Sequence, residues 1–367
     1  MKIAIIGSRG IPARYGGFET FVEHISSILV RANYEVTVYG EKGNAEIIKN
    51  NSEVHIKESV FKKSKNPLLF YFDSLRKTVS TYDLVLVCGV GAAPFYPLFK
   101  NKNSFLITNV DGLEHLRAKF SIPKKIFVRL AQRFTKKYSD IIIADSESVG
   151  IFWKEKLLCP PEKLEVIAYG ADEAFPFNQA ILEKYSLIED NYYLIVARLV
   201  PENHILEIIK GFIASGSEKK LIIVGGLESN SYVRMIREFS GSKILFADAI
   251  YEKESLDSLR RGAFAYIHGH SVGGTNPSLL EAMAASCICI CHDNIFNREV
   301  NTEEQLYFRD AEELRLRINE LEKMPKAEIA LLKQTSFKRV SIKYSWDLIG
   351  EQYLQLLREI YERKHRI

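Results

Sequence analysis

The sequence predicts an α/β protein built from two doubly wound domains, each with a parallel sheet covered by helices on both faces. Three observations support this prediction. The chain has 367 residues, which suggests about two domains at roughly 150 residues each. Short, continuous apolar segments alternate with amphipathic ones. The alternation is interrupted once, at about 170–190, before it begins again.

The first half of the chain predicts a domain over residues 1–170. Its predicted strands are Lys2–Gly7, Glu35–Tyr39, Leu84–Cys88, Ser104–Asn109 and Ile141–Ala144. Its predicted helices are Phe18–Ala32, Ile126–Lys137 and Ser146–Leu158. Continuous apolar strands separated by helices are typical of a parallel sheet that is buried on both faces.

The second half restarts the pattern after a segment, 171–190, that we interpret as a linker. We expect a second domain over 191–345 and a C-terminal helix over 346–367 that crosses back to the first domain. The predicted strands are Tyr192–Ala197, Leu221–Val224, Lys243–Phe246, Ala265–His268 and Cys287–Cys291. The predicted helices are Ile205–Ala214, Tyr232–Phe239, Leu256–Arg261 and Pro277–Ala285. Ligands of such sheets bind at the carboxyl ends of the strands, so the loops after strands are the places to search.

The composition is that of a globular protein, with 47% hydrophobic and 26% charged residues. No segment reaches the roughly 18 apolar residues of a membrane-spanning helix. The opening segment lacks the length and cleavage site of a signal peptide. The five cysteines lack metal-ligand spacing, and three of them, Cys287, Cys289 and Cys291, alternate along one predicted strand as small apolar residues. We expect a reduced, cytoplasmic protein.

The net charge of +4 is distributed unevenly. Residues 1–175 hold 25 Lys and Arg against 19 Asp and Glu, whereas residues 176–367 hold 25 against 27. The segment 115–137 contains eight basic residues and no acidic one, interspersed with apolar residues. This mixture suits a peripheral helix on anionic lipid. It equally suits a solvated helix whose apolar face packs in the domain core.

A glycine-rich loop, Gly7–Thr20, follows the first strand and enters a helix near Gly17. Glycines there let backbone N–H groups approach a phosphate at the start of a helix. The loop has neither the G-x-G-x-x-G spacing nor that of a P-loop. The alternative is a surface loop whose glycines serve its turns.

Arg198 comes just after a predicted buried strand, shortly before the next helix. Its planar guanidinium suits phosphate oxygens. The alternative is an ordinary ion pair at the surface.

The most specific motif runs over His268–Ala284. Pro277 fits the first position of a helix and Asn276 its N-cap. The free N–H groups of that helix start and the helix dipole form an anion site. Glu281 lies among apolar residues of the same helix, so its carboxylate needs a partner. A ligand hydroxyl such as that of a ribose would serve, and so would Arg198 or another base.

A polar loop follows the strand that ends near Asn109. It brings together Asp111, Glu114 and His115, which could act as acid, base or hydroxyl binder. They could equally cap the loop or form ion pairs. The two histidines that open the previous motif have no third ligand at a fixed spacing, so no metal site is predicted.

Four segments stand out when they are taken together: KIAIIGSRGIPARYGGFETFVE, NVDGLEHLRAKF, ARLVPENH and HGHSVGGTNPSLLEAMA. In this order they resemble the family-4 retaining glycosyltransferases of the GT-B fold, in which two Rossmann-like domains face a cleft. The resemblance covers nearly the whole chain. It is closest to the bacterial rhamnosyltransferase-like branch, which assembles capsule, O-antigen and other cell-wall polysaccharides.

The resemblance implies a role for each matching residue. Arg198 matches the arginine that faces the diphosphate of the nucleotide sugar, and Glu281 matches the second of two paired glutamates, which holds the ribose. The other implied donor-binding residues are Gly16, Gly17, Asn203, Ser271, Gly273, Gly274, Thr275, Asn276, Ile250 and Tyr251. The implied acceptor-binding residues are Arg14, Tyr15, Glu114 and His115. Asp111 is the candidate that orients the acceptor or helps as a base, and it joins Arg198 and Glu281 as a catalytic candidate.

Two positions depart from the family's pattern. The first paired glutamate would fall at Gly273, and Asn203 replaces the lysine that usually follows the arginine. Both changes leave less charge in the site, which is compatible with a deoxy sugar that has fewer hydroxyls. We therefore expect dTDP-L-rhamnose as the donor, with a UDP-hexose as the alternative.

The resemblance also implies transfer with retention, after domain closure has brought the acceptor hydroxyl to the anomeric carbon. Positive groups of the protein would stabilise the leaving diphosphate, so no divalent metal or other cofactor is expected. The expected acceptor is a saccharide or a saccharide carried on a polyprenyl diphosphate, and the lipid-linked form is the preferred expectation. Such an acceptor would bring the protein to the inner face of the plasma membrane.

Other classes of function stay open on the sequence alone. An NAD-dependent oxidoreductase would share the two α/β domains, but the first loop lacks the dinucleotide spacing and no acid is evident about 20 residues further on. A non-catalytic nucleotide-sugar-binding protein would keep the donor site without turnover. No nucleic-acid partner is expected, because the second half is acidic and no recognition motif is present.

Overall fold

The structure, a computed structural model, describes residues 1–13, 16–41, 54–99, 104–110, 112, 121–228, 230–303 and 305–365, with the backbone alone for 363–365. The chain divides into two compact units. The first comprises Met1–Tyr169 and Trp346–Ile367, and the second comprises Gly170–Ser345. Each unit is built on one parallel sheet, which confirms the predicted α/β class.

The first unit has a seven-stranded sheet in the order β3-β2-β1-β4-β5-β6-β7, with every pair parallel. Its strands are β1 (Lys2–Ile6), β2 (Glu35–Gly40), β3 (His55–Glu58), β4 (Leu84–Cys88), β5 (Phe105–Val110), β6 (Ile141–Ala144) and β7 (Leu164–Val166). Its α-helices are α1 (Gly17–Arg31), α2 (Pro67–Thr78), α3 (Ile122–Tyr138) and α4 (Glu147–Ile151). The apolar residues of the central strands are buried and form the core.

The C-terminal helix, α13 (Trp346–His365), completes the first unit, as predicted. Its apolar positions recur with helical spacing and are buried, among them Ile349, Tyr353 and Leu357. The Asn109 amide donates to the Tyr353 hydroxyl over 2.9 Å, and the Phe21 ring lies 5.4 Å from that of Tyr353. The last helix is therefore part of the core of the first unit.

The second unit has a six-stranded parallel sheet in the order β10-β9-β8-β11-β12-β13. Its strands are β8 (Tyr192–Val196), β9 (Lys220–Val224), β10 (Ile244–Ala247), β11 (Ala265–His268), β12 (Cys289–His292) and β13 (Leu306–Phe308). Its α-helices are α5 (Gln179–Lys184), α6 (Ile205–Ser215), α7 (Ser231–Arg237), α8 (Lys253–Arg261), α9 (Pro277–Ala284), α10 (Ile295–Val300), α11 (Ala311–Lys323) and α12 (Lys326–Lys343).

The structure differs from the sequence prediction in the linker and in several elements that were not predicted. Residues 171–190, interpreted as a linker, contain the helix α5, whose Leu182 is fully buried within the second unit. Strands β3, β7 and β13 were not predicted, and neither were the helices α2, α10 and α11. Within the described ranges, no helix combines the length and the apolar character needed to cross a membrane.

Candidate functional site

The predicted donor residues of the second unit lie at the carboxyl edge of its sheet. The chain leaves β8 for β9 on one side and later forms β11 on the other side of β8. The winding direction therefore reverses between β8 and β11, and loops at such a reversal flank a ligand-binding crevice. Arg198 follows β8 by two residues, and the segment 269–276 follows β11 directly. The structure thus brings the two most specific motifs of this unit to neighbouring strand ends.

The start of α9 is held in place by side-chain hydrogen bonds. Asn276 caps the helix by accepting from the backbone N–H of Ser278 over 3.0 Å, and Pro277 begins it, as predicted. The Ser278 hydroxyl lies 2.9 Å from that of Tyr266, which donates to the Val196 carbonyl at the end of β8 over 3.1 Å. The helix N-terminus and the strand end that precedes Arg198 are therefore fixed to one another.

Arg198 is exposed, and its guanidinium makes no ion pair or hydrogen bond with other described residues. Asn203 is 3% exposed, and its amide donates to the Arg198 carbonyl over 2.7 Å. Ser271 donates from both its backbone N–H and its hydroxyl to the Glu202 carbonyl, over 3.2 and 3.0 Å. Asn203 and Ser271, both predicted to bind the donor, therefore brace the loops of the site, while Arg198 is available to an anion.

The partner of Glu281 is Arg260, a residue that the sequence reasoning missed. Arg260 is 1% exposed and donates from Nη2 to the Glu281 carboxylate. The sequence predicted that the Glu281 carboxylate needs a partner, and a basic residue was one of the two kinds of partner considered. The buried base at the end of α8 was not named, because no motif links it to α9. The Glu281 side chain remains 28% exposed, so its carboxylate is reachable from outside.

The remaining donor residues of the second unit line the same strand ends. Gly274 and Thr275 are buried just before the Asn276 cap. A Cβ at Gly273 would meet nothing within 4 Å, so this position faces open space. Ile250 is half-buried after β10, and Tyr251 is 65% exposed.

Four histidines form two stacked pairs near this edge. The rings of His268 and His270 lie 4.4 Å apart, and those of His204 and His292 lie 4.3 Å apart. Burial lowers the pKa of His268 to about 3 and that of His292 to about 4, so both are neutral at pH 7. In the part of the chain that the structure describes, no group of three or more His, Cys, Asp or Glu residues could hold a metal ion.

The glycine-rich loop of the first unit is tied to the helix that follows it. Gly16 is exposed and occupies the N-cap position of α1, which Gly17 begins. The Glu19 carboxylate accepts from the Arg9 backbone N–H over 2.8 Å, and a second carboxylate of α1 accepts from that of Ala13 over 3.1 Å. The helix N-terminus beside Gly16 thus follows a braced loop.

Lys63 reaches the same loop, although no sequence motif contains it. Its ammonium donates to the Gly7 carbonyl over 2.5 Å and lies within 6 Å of the rings of Phe18 and Tyr71. Burial by itself lowers the pKa of Lys63, but the charges of Tyr71 and Glu19 outweigh it and raise the pKa overall. The first loop therefore begins beside a fixed positive charge.

Five predicted residues lie outside the described residues. They are Arg14, Tyr15, Asp111, Glu114 and His115. Their proposed roles toward the acceptor stay predictions.

Sequence comparisons divide the chain in the same way as the structure. Residues 178–335 match the family described as glycosyl transferases group 1. Residues 1–62 and 72–172 match a domain of unknown function, DUF1972. No curated protein sequence matches this chain.

Solved structures with the same fold are similar over nearly the entire chain. Sucrose-phosphate synthase from Thermosynechococcus elongatus has a TM-score of 0.80 at 16% identity, covering 99% of both chains. Anabaena HepE in complex with UDP-glucose has a TM-score of 0.78 at 16% identity, covering 98% of this chain and 100% of its own. A glycosyltransferase from Rickettsia africae has a TM-score of 0.75 at 16% identity, covering 98% of both chains. At this identity the similarity establishes the fold.

Proposed function

We propose that this chain, which has the GT-B fold and whose residues 178–335 match glycosyl transferases group 1, is a glycosyltransferase that transfers a sugar from a nucleotide-sugar donor to a saccharide acceptor with retention. The observation that carries the proposal is the pairing of Arg198 with the start of α9 at neighbouring strand ends. A solved structure of this fold holds UDP-glucose, which supports a donor of this class. The match of residues 178–335 to glycosyl transferases group 1 favours this proposal over the oxidoreductase alternative.

In the proposed reaction, the bond between the anomeric carbon and the diphosphate oxygen breaks, and its electron pair leaves with the diphosphate. The acceptor hydroxyl oxygen forms the new bond on the same face of the sugar, and its proton passes to the leaving phosphate or to Asp111. Arg198 and the positive end of the α9 dipole stabilise the charge that develops on the diphosphate. The Ser278 N–H is already bonded to the Asn276 cap and Pro277 has no N–H, so the dipole rather than a free N–H of this first turn would act on the anion. We propose that these groups replace a divalent metal.

Arg198→Ala and Glu281→Ala test this site. We expect kcat/KM for the donor to fall about 100-fold in Arg198→Ala, the usual effect of removing one preorganised electrostatic group. Arg237→Ala is the matched control, because Arg237 is an exposed arginine at the C-terminal end of α7. Wild-type turnover by either site variant at subsaturating donor would refute the assignment. A loss of activity in EDTA would refute the metal-free reaction.

We propose L-rhamnose from dTDP-L-rhamnose as the transferred sugar. The support is Gly273, where the family's pattern has a carboxylate and where the structure has open space. Thermal shift with a panel of dTDP- and UDP-sugars tests the proposal, since a ligand at 100 times its Kd stabilises the folded state by about 2.7 kcal/mol. Gly273→Glu is expected to improve the use of a UDP-hexose. Equal shifts with all dTDP- and UDP-sugars would contradict the rhamnose assignment.

We further propose that the acceptor is lipid-linked and that α3 contacts the inner face of the plasma membrane. One stripe of this helix is apolar and exposed: Ile122 by 75%, Ile126 by 60% and Leu130 by 45%. The helix has no acidic residue. Its basic residues are Lys124, Lys125, Arg129, Arg133, Lys136 and Lys137. An exposed apolar stripe beside basic residues suits anionic lipid.

Co-sedimentation with vesicles tests the membrane contact. Binding to vesicles that contain phosphatidylglycerol should exceed binding to pure phosphatidylcholine. It should fall about tenfold in Ile122→Ser/Ile126→Ser, since two exposed apolar side chains no longer enter the lipid. Leu331→Ser/Ile342→Ser is the matched control, because these side chains of α12 are 61% and 64% exposed. Binding that does not depend on anionic lipid would end this proposal.

A further inference from the structure

Glu281 occupies an unusual position in α9. It is the charged residue of a helix in which the side chains on either side of it, Leu279, Leu280, Ala282 and Met283, are fully buried. Its own side chain is 28% exposed, so the carboxylate lies where the core meets the strand-end crevice. A carboxylate in such a place keeps one orientation only if a second group holds it.

Arg260 supplies that second group. Its guanidinium donates from Nη2 to Oε2 of Glu281 and from Nη1 to Oδ1 of Asp257 over 3.1 Å. Burial alone lowers the pKa of Arg260, but the charges of Glu281, Tyr266 and Asp257 outweigh it and raise the pKa overall. The guanidinium therefore remains charged inside the protein.

Asp257 in turn prevents the guanidinium from turning away. Asp257 is 1% exposed, accepts from the Lys253 ammonium over 2.6 Å and accepts from the Phe175 backbone N–H over 3.0 Å. Both terminal nitrogens of the Arg260 guanidinium thus donate hydrogen bonds. A planar, five-donor guanidinium held at two points fixes its partner's geometry in a way that a flexible ammonium does not.

We propose that Arg260 is a positioning residue for the donor. It holds Oε2 of Glu281 and leaves Oε1 to accept a hydrogen bond from the pentose of the bound nucleotide. The inference rests on the proposed function, because it requires that Glu281 binds that pentose. Arg260 itself, being 1% exposed, acts through Glu281.

Steady-state kinetics of Arg260→Lys, Arg260→Met, Glu281→Ala and the double variant Arg260→Lys/Glu281→Ala test the proposal. We expect Arg260→Lys to raise the donor KM about tenfold with kcat within about twofold. The double variant should be no worse than Glu281→Ala, because the effect of Arg260 passes through that carboxylate. Arg261→Lys is the matched control, since this neighbour bonds to the carbonyls of Phe175 and Ala174 instead.

The outcomes separate the inference from the proposed function. A normal donor KM in Glu281→Ala would show that Glu281 does not bind the donor, and the proposed pentose contact would fail. A raised KM in Glu281→Ala with a normal KM in Arg260→Lys would overturn the positioning role alone. Increases in the donor KM that add in the double variant would also overturn the positioning role. If Arg260→Met does not fold, Arg260→Lys retains the charge and decides the matter, with folding checked by circular dichroism.

Discussion

Gly269→Ala is expected to disturb the strand-end crevice strongly, although it adds only one methyl group. Gly269 follows β11 directly and is buried. A Cβ built there would lie 2.1 Å from the carbonyl oxygen of Asn203 and 2.8 Å from Cδ1 of Ile208. Side-chain carbons keep at least 3.0 Å from such atoms, so the Asn203 carbonyl would have to retreat by about 0.9 Å.

That displacement has a cost that can be worked out. Overpacking of this kind costs about 1–3 kcal/mol. The loop that moves also carries the bond from the Asn203 amide to the Arg198 carbonyl and the bond from Ser271 to the Glu202 carbonyl. Each weakened hydrogen bond adds about 1 kcal/mol. We therefore expect the free energy of unfolding to fall by about 3–5 kcal/mol, and the melting temperature of the second unit by about 6–20 °C.

Urea and thermal unfolding measure this effect, and Gly273→Ala is the matched control in the same loop. A Cβ at Gly273 meets nothing within 4 Å, so its substitution should change the unfolding free energy by less than about 0.5 kcal/mol. If Gly269→Ala unfolds at the same urea concentration as Gly273→Ala, the loop that carries Asn203 can move without lowering the free energy of unfolding. The argument from the close approach to Asn203 would then be wrong.

Three further predictions concern the second unit. Burial lowers the pKa of His268 from 6.5 to about 3, so the unfolded chain takes up the proton first as the pH falls. Its contribution to stability is therefore complete above pH 6.5 and is lost toward pH 3. About 2 kcal/mol should be gone at pH 5, and urea unfolding of His268→Gln should lack this loss. Tyr266→Phe removes the hydroxyl that joins β8 to Ser278, and should cost about 1 kcal/mol in urea unfolding without preventing folding. Burial raises the pKa of Cys287 to about 12, so a thiol reagent should label it only when the chain is unfolded; rapid labelling of the native protein would contradict this.

The sequence predicted most central strands because burial on both faces leaves a continuous apolar run. Leu84–Cys88 and Ile141–Ala144 have the predicted bounds. The edge strand β3 was missed, since its four residues are alternately exposed and half-buried and carry no such run. The helix α3 begins four residues before the prediction because Pro123 lies in its first turn, where proline is well accommodated.

The candidate site was predictable where it depends on strand ends and helix caps. Arg198 and Asn276 could be placed because each lies next to a recognisable strand or helix boundary. Arg260 could not, because it lies 21 residues before Glu281 along the chain and on a different helix. The available signal was an arginine on the buried side of α8 with an aspartate three residues before it. This signal does not indicate which residue of another helix the arginine contacts.

The return of α13 to the first unit has a consequence for the order of folding during synthesis. The second unit consists of one continuous segment, Gly170–Ser345, whereas the first lacks its last core helix until residue 346 and beyond have been made. Tyr353, which bonds to Asn109 and packs on Phe21, is translated only after the whole second unit. The half of the protein that is translated first is thus the half completed last, after the second unit has already been made.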